Sequence, residues 1–358
     1  MAIPVIIDTD PGIDDAIAIA LACASPEIDL LGVTTVGGNT GIENTTGNAL
    51  RLLHLFGRDE VPVAAGAARA LAFEADLGDP SIHGQGGLGG VVLPLPDRGP
   101  DPRGAVGLLA ELVDSHPEPI TLIAIGPLTN VALFAATRPD LYAKLDRLVI
   151  MGGGVHITGN HTPTGEFNIW FDPEAAARVF AAGVEVTMVG LDVTHKAMFA
   201  GTDWAPLRTA DAGPVAKAVT GMIDFYGTFY LSQNGSDATA QHDSLAVAAV
   251  AARPRPYAAL LGRRRDGRNA YPRHDRRRPQ GRLGSRPQHP RGARCRRSGV
   301  HRPPRRPHRR PGRIPAITSA RKGSALVRRE LWSLWRVAKG AVTDEPELWS
   351  LWGAQAAS

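Results

Sequence analysis

Short apolar segments alternate with helical segments through the first 252 residues of this 358-residue chain. Five apolar segments are short and rich in β-branched residues, as buried strands are: residues 3–7, 30–36, 120–125, 148–151 and 184–189. Helical patterns alternate with them at residues 14–23, 42–56, 128–136, 173–182 and 245–252. This order predicts an α/β fold with a mostly parallel, doubly wound sheet and helices on both faces. In such sheets ligands bind beyond the carboxyl ends of the strands.

The end of the first predicted strand carries four carboxylates within eight residues: Asp8, Asp10, Asp14 and Asp15. Four acids so close together repel one another at neutral pH unless a cation or raised pKa values relieve the repulsion. The dipole of a helix N-terminus would explain one or two of them, but not all four. Oxygen ligands without a nearby cysteine favour a hard ion, calcium or magnesium. We therefore predict a metal site here.

Polar residues also follow the later strands. Asn39 comes after two glycines at the end of the second strand, where a plain turn is the alternative interpretation. A loop after the fourth strand contains one acid, two amides and an aromatic ring, a set suited to binding sugar hydroxyls: Glu166, Asn160, Asn168 and Phe167. His242 and Asp243 begin the last predicted helix. A helix cap would explain His242 alone, but the adjacent acid favours a functional role.

Five segments in this order resemble the inosine-uridine (pyrimidine/purine) nucleoside hydrolases: DTDPGIDDA, GGN, GPLTN, EFNIW and HDSLAV. The resemblance covers about residues 3–252, and DTDPGIDDA is its most specific part. It implies a nucleoside hydrolase-like fold, hydrolysis of the N-glycosidic bond of ribonucleosides to free base and ribose, and a homotetramer. No tryptophan pair suited to stacking on a base occurs in the pocket segments, which argues against strict purine specificity.

The same resemblance implies that Ca²⁺ is bound by Asp10, Asp15, the Ile125 carbonyl and Asp243. A metal-activated water would be the nucleophile, and Asp10 would take its proton. His242 would protonate the departing base, because imidazole exchanges protons near neutral pH.

The resemblance further implies a set of ribose-binding residues: Asp14, Asn39, Asn160, Glu166 and Asn168. His83 and Met151 would line the pocket. Tyr226 and Tyr230, one helical turn apart, would lie over the base, although packing in the core explains this pair equally well.

Basic charge is concentrated in residues 253–313, which contain 22 arginines and two acids. The net charge of this segment is +20 while the whole chain carries +5, so the rest of the chain is acidic. A nucleic-acid-binding tail would account for the arginines. A frameshift accounts for them better, because GC-rich codons read out of register give arginine, proline, glycine and alanine. Read one base forward, residues 269–280 can give the strand-like TRTRGMTVVDRR.

We therefore predict a hydrolase domain at residues 1–252, an irregular frameshift product at 253–313, and a tail at 314–358 that repeats ELWSLW. Because the C-terminal end is aberrant, an impaired or inactive hydrolase homologue is an alternative. If a frameshift produced the arginines, they are no evidence for a nucleic-acid partner, and we predict none. No signal peptide and no run of 18 apolar residues is present, so we predict a cytoplasmic protein without a membrane partner.

A haloacid-dehalogenase-type phosphatase is a weaker alternative, since such enzymes also begin with Asp-x-Asp after a strand. They need a downstream lysine and a second acid pair after a later strand. The only lysines before residue 252 are Lys144, Lys196 and Lys217, and the second acid pair here lies in the first loop.

Overall fold

The apolar, β-branched segments form the strands of the sheet, as their composition predicts. The computed structural model describes residues 2–209 and 212–251. The strands are β1 Ile3–Thr9, β2 Ile28–Thr35, β3 Val63–Ala65, β4 Thr121–Ala124, β5 Arg147–Met151, β6 Val186–Val189, β7 Met198–Phe199 and β8 Thr239–Ala240.

Helices connect these strands. They are α1 Ile13–Ala24, α2 Ile42–Leu55, α3 Pro80–His83, α4 Gly104–Ser115, α5 Thr129–Thr137, α6 Pro139–Tyr142, α7 Phe167–Phe171, α8 Pro173–Phe180, α9 Leu191–Thr194, α10 Pro214–Asn234 and α11 His242–Ala251, with a 3-10 helix at Gly201–Leu207.

Six strands form one parallel sheet in the order β3-β2-β1-β4-β5-β6. The chain moves outward from β1 in one direction through β2 and β3, and then returns to the other side of β1 to form β4. The order therefore reverses between β1 and β4, and the carboxyl ends of these two strands border the crevice in which doubly wound sheets bind ligands. Strands β7 and β8 form a separate antiparallel pair.

Successive side chains of a strand point to opposite faces of the sheet, and both faces are apolar here. Val5 and Ile7 of β1 belong to a core cluster that includes residues of α1, α2, α10 and α11. Ile6, between them, belongs to a second cluster with residues of α4, α5 and α8. Helices therefore cover both faces, which confirms the predicted doubly wound α/β fold.

The predicted frameshift product at 253–313 and the tail at 314–358 lie outside the described residues, so both stay predictions. Within 2–209 and 212–251, the structure contains no helix with the length and apolar character needed to cross a membrane.

Candidate active site

The segment of residues 8–15, here called the acid segment, runs from β1 through a turn into α1. Pro11 and Gly12 end the strand, because proline has no amide N–H for a ladder and glycine favours turns. Helix α1 begins at Ile13, and Asp15 in its first turn accepts the Gly12 N–H at 2.9 Å. The positive end of the helix dipole favours a carboxylate at this position. The turn thus places acids from strand end, loop and helix at the same edge of the sheet.

Three buried carboxylates meet beside this segment. One oxygen from each of Asp14, Asp15 and Asp243 lies within 4.8 Å of the other two. Asp243 belongs to the first turn of α11, a helix that packs against α1. Burial raises the pKa of Asp14 to about 6; burial and then the Asp14 charge raise the pKa of Asp15 to about 6. The same two causes raise the pKa of Asp243 well above its ordinary value.

Asp10 lies next to this carboxylate cluster and is completely buried. Its Oδ2 accepts the Asn39 backbone N–H at 2.7 Å, whereas its Oδ1 is buried without a hydrogen-bond partner among the described residues. Gly38 makes this arrangement possible, since a Cβ there would collide with Asp10 Oδ2. Burial, and then repulsion from Asp15, raise the pKa of Asp10 well above its ordinary value.

These groups fit a divalent cation with a preference for oxygen. Asp14 Oδ1, like Asp10 Oδ1, is buried and lacks a hydrogen-bond partner in the described part of the chain. Buried polar atoms are nearly always paired, so two such oxygens beside a cluster of acids need a positive partner. No sulfur or imidazole ligand is required, and oxygen ligands of this kind suit Ca²⁺ or Mg²⁺.

The Ile125 carbonyl lies at the other side of the switch point. The Ile125 N–H donates to the Asp8 carbonyl at 2.8 Å, which extends the pairing of β1 and β4 by one residue. The Ile125 carbonyl accepts the Asn168 amide at 3.0 Å. A carbonyl oxygen has two lone pairs, so this hydrogen bond leaves one of them for a ligand.

Asn39 holds the acid segment in place. Its side-chain Nδ2 donates to the Asp10 carbonyl at 3.2 Å and to Asp15 Oδ2 at 3.1 Å. Both amide protons are therefore used within the protein, and Oδ1 is the atom of this side chain that is left for a substrate hydroxyl.

Glu166 and Asn168 begin helix α7 beside the ends of β4 and β5. Glu166 caps the helix: its Oε2 accepts the Ile169 N–H at 3.2 Å and the Gly153 N–H at 2.9 Å. Burial raises the pKa of Glu166 to about 7. Asn168 Nδ2 also donates to the Met151 carbonyl at 3.2 Å, so this amide joins the ends of both strands.

The structure places Asn160 and Phe167 further out. Asn160 is exposed, and its Oδ1 accepts the Phe167 N–H at 2.9 Å. The half-buried Phe167 ring packs near His161 and Trp170, with ring centroids 5.6 Å and 6.3 Å away. Asn160 therefore lies on an exposed loop and Phe167 at the half-buried start of α7, whereas the acids are buried.

His83, Tyr226 and Tyr230 form a group of aromatic rings, here called the aromatic wall, with His83 Nδ1 3.9 Å from Asp14 Oδ1. His83 stacks on Tyr226 with ring centroids 5.5 Å apart, and Tyr226 makes an edge contact with Tyr230 at 5.1 Å. His83 Nδ1 accepts the Ile13 N–H at 3.2 Å. Burial lowers the pKa of His83 to about 4, so the ring is neutral at pH 7.

His242 is hydrogen-bonded through both ring nitrogens. Its Nε2 lies 3.2 Å from the Tyr230 hydroxyl, and its Nδ1 lies 2.8 Å from Thr194 Oγ1. Burial, followed by His195 and His83, lowers the pKa of His242 to about 3. The imidazole of His242 is therefore neutral at pH 7.

The sequence profile described as inosine-uridine preferring nucleoside hydrolase matches residues 5–286 of the chain. The chain belongs to this nucleoside hydrolase family. Pyrimidine-specific ribonucleoside hydrolases RihA are similar to it: the protein from Photobacterium profundum is 46% identical over 249 residues, 69% of this chain and 79% of the relative. The protein from Citrobacter koseri is 45% identical over the same shares of both chains.

Solved nucleoside hydrolase structures agree with this assignment. A plant nucleoside hydrolase is 36% identical with a TM-score of 0.67, and the match covers 73% of this chain and 81% of that one. A purine-preferring ribonucleoside hydrolase from Gardnerella vaginalis is 33% identical with a TM-score of 0.66, over 69% and 79% of the two chains. The family predicted from the five sequence segments is thus confirmed.

Two residues of this nucleoside hydrolase support the site in ways that the sequence did not indicate. Thr194 forms a hydrogen bond with His242, which is 48 residues away, and no local sequence pattern indicates that pair. Asn130, from the GPLTN segment, donates to Asp8 Oδ1 at 2.8 Å and to the Thr35 carbonyl at 2.9 Å. It also accepts the Ala67 N–H at 2.8 Å, so one buried amide joins the ends of three strands.

The phosphatase alternative finds no support in this nucleoside hydrolase. Its mechanism requires a lysine beside the acids, but the lysines in the part of the chain that the structure describes are all exposed: Lys144, Lys196 and Lys217. Lys144 pairs instead with Asp114 at 2.9 Å.

Proposed function

We propose that this nucleoside hydrolase cleaves the N-glycosidic bond of ribonucleosides, preferring pyrimidine bases, in a Ca²⁺-dependent reaction with water. The observation that carries the proposal is the cluster of Asp14, Asp15 and Asp243 at the switch point of the sheet, with an unpartnered Asp10 oxygen beside it. The preference for pyrimidines rests on relatives named pyrimidine-specific, which are more similar to this chain than the purine-preferring structure is.

In this proposal Asp10, Asp15, Asp243 and the Ile125 carbonyl hold the cation. A cation bound there supplies Lewis acidity, which lowers the pKa of water and so makes a nucleophile available at neutral pH. A mixed set of carboxylates and one carbonyl suits Ca²⁺ better than Mg²⁺, because Mg²⁺ requires near-ideal octahedral geometry.

Asp10 acts as the general base and receives the proton of the attacking water at Oδ1. That atom is free because the hydrogen bonds from Asn39 to Asp10 go to Oδ2 and to the backbone carbonyl. As the glycosidic bond breaks, positive charge develops on the ribose ring. The carboxylates of Asp14 and Glu166 stabilise this charge, since both are buried and electrostatic interactions are stronger there than in bulk water.

His242 protonates the departing base. Burial lowers the pKa of His242 to about 3, so the ring is neutral in the free protein and takes up a proton from solvent before it acts as an acid. The departing base accumulates negative charge beside the ring, and such a charge raises the pKa of an imidazole. Thr194 holds Nδ1, and the Tyr230 hydroxyl occupies Nε2, so this hydroxyl must relay the proton or turn away from Nε2 when His242 acts.

The first experiment is a substrate panel with the full-length protein. We expect release of free base and ribose from uridine and cytidine, with a kcat/KM about tenfold above that for inosine, because a misfitting group in a pocket typically costs about that much. Base release is measured by chromatography. Phosphate release from p-nitrophenyl phosphate without base release from any nucleoside would contradict the proposal.

The replacement His242→Ala tests the proton donor. We expect kcat to fall by about 100-fold for uridine, a typical contribution of general acid catalysis, and by only a fewfold for p-nitrophenyl riboside, whose leaving group needs no proton. The control is His195→Ala, which removes an exposed imidazole whose ring lies 5.6 Å from His242. Equal losses on both substrates would remove His242 from this role.

A further inference from the structure

One buried amide connects two loops at the crevice. The residues 83–90, here called the glycine loop, begin with His83 and contain five glycines. Asn48, on α2, donates through Nδ2 to the Gly86 carbonyl at 2.7 Å and to the Pro11 carbonyl of the acid segment at 3.0 Å. Asn48 is 5% exposed, and its hydrogen bond to Pro11 is buried, whereas its bond to the exposed Gly86 is partly buried.

The glycine loop is shaped to make this contact. Gly87 has a φ of +89°, a conformation that side-chain-bearing residues rarely adopt. A Cβ at Gly87 would lie 2.9 Å from both Asn48 Nδ2 and the Pro11 carbonyl oxygen. The close approach of the two loops therefore depends on this glycine as well as on the amide of Asn48.

The contact between Asn48 and the glycine loop affects the site through His83. This histidine starts the glycine loop, bonds to the Ile13 N–H of the acid segment and stacks on Tyr226. The position of the glycine loop thus sets the distance between the aromatic wall and the carboxylate cluster. The other hydrogen bonds described for Gly87 and Gly89 are internal, to the Gly84 and His83 carbonyls.

We propose that Asn48 is a positioning residue for substrate binding, which holds the glycine loop and its His83 against the acid segment. The proposal rests on the nucleoside hydrolase function proposed above. Asn48 makes none of the hydrogen bonds described for the carboxylates, so losing its amide leaves those bonds in place. The same loss separates the glycine loop from the acid segment, so His83 is held less firmly beside Tyr226 and the Ile13 N–H. Binding is then weakened while the chemical step is preserved.

The test is Asn48→Ala in the full-length protein, with uridine as substrate. We expect KM to rise about tenfold, the effect of losing one buried and one partly buried hydrogen bond, with kcat changed by less than about twofold. Amide hydrogen exchange should accelerate within residues 83–90 and stay unchanged in β1 and β4. Gly87→Ala, which obstructs the same contact, should give the same pattern even if Asn48→Ala does not fold.

The matched control is Asn44→Ala, one turn earlier on α2. Asn44 is exposed and its described side-chain hydrogen bond goes to Thr40 Oγ1 at 3.0 Å, so Asn44→Ala changes the same side chain on the same helix without removing a hydrogen bond to the glycine loop. Any of three results would overturn the proposal. They are a fall in kcat equal to the rise in KM, unchanged amide hydrogen exchange in residues 83–90, and the same effects from Asn44→Ala. A wild-type protein that releases no base would instead refute the hydrolase function, and the exchange measurement would still decide the role of Asn48.

Discussion

Replacing Asp10 with asparagine should lower kcat for uridine by about a thousandfold, within the range that a lost general base costs. Asparagine has the same shape, and its carbonyl oxygen can still accept the Asn39 N–H that Asp10 Oδ2 accepts at 2.7 Å. The fold is therefore preserved. The replacement removes the negative charge and the proton-accepting capacity of Oδ1, the atom that has no hydrogen-bond partner within the described residues.

The matched control is Asp8→Asn, the same change two residues earlier. Asp8 is also buried, and its Oδ2, like Asp10 Oδ1, has no hydrogen-bond partner among the described residues, but its Oδ1 accepts the Asn130 amide at 2.8 Å and the Thr34 hydroxyl. An asparagine at position 8 can keep both hydrogen bonds, so we expect kcat to change by less than about tenfold. Steady-state rates and thermal unfolding of both variants check this. If Asp8→Asn were as damaging as Asp10→Asn, loss of charge in the acid segment would explain both results without a general base.

The sequence predicted the central strands well because their burial on both faces leaves a strong pattern. Strand β5, predicted at 148–151, is Arg147–Met151, and helix α2, predicted at 42–56, is Ile42–Leu55. Strand β3 has only three residues and helix α4 contains two glycines, so neither produced a clear pattern. Strand β3 forms by pairing with β2, and α4 forms by packing against the sheet. Such contacts between distant segments leave no local pattern in the sequence.

In the site as well, groups close in sequence could be predicted, whereas contacts between distant residues could not. The acids of the acid segment are neighbours in sequence, so their repulsion could be recognised from the chain alone. The pairing of Thr194 with His242 and that of Asn48 with Gly86 join residues 48 and 38 positions apart. Only the packing of the helices determines which distant side chains meet, and the low pKa of His242 follows from that burial.

Removal of divalent cations should reduce turnover by at least about a thousandfold, and Ca²⁺ should restore it more fully than Mg²⁺. One oxygen from each of Asp14, Asp15 and Asp243 lies within 4.8 Å of the other two, so removal of a cation would leave protonation as the means of relieving their repulsion. The experiment compares base release from uridine before and after dialysis against a chelator, and again after each cation is added. Undiminished turnover after dialysis would exclude a cation from the reaction.

Binding of the cation can also be measured without turnover. A ligand present at 100 times its Kd stabilises a folded protein by about 2.7 kcal/mol, so Ca²⁺ should raise the Tm of the dialysed protein. Asp243→Asn removes one of the three clustered carboxylates and should abolish most of this rise, whereas Asp8→Asn should keep it because Asp8 is paired with Thr34 and Asn130. A Tm rise that persists in Asp243→Asn would place the cation elsewhere, even if turnover required it.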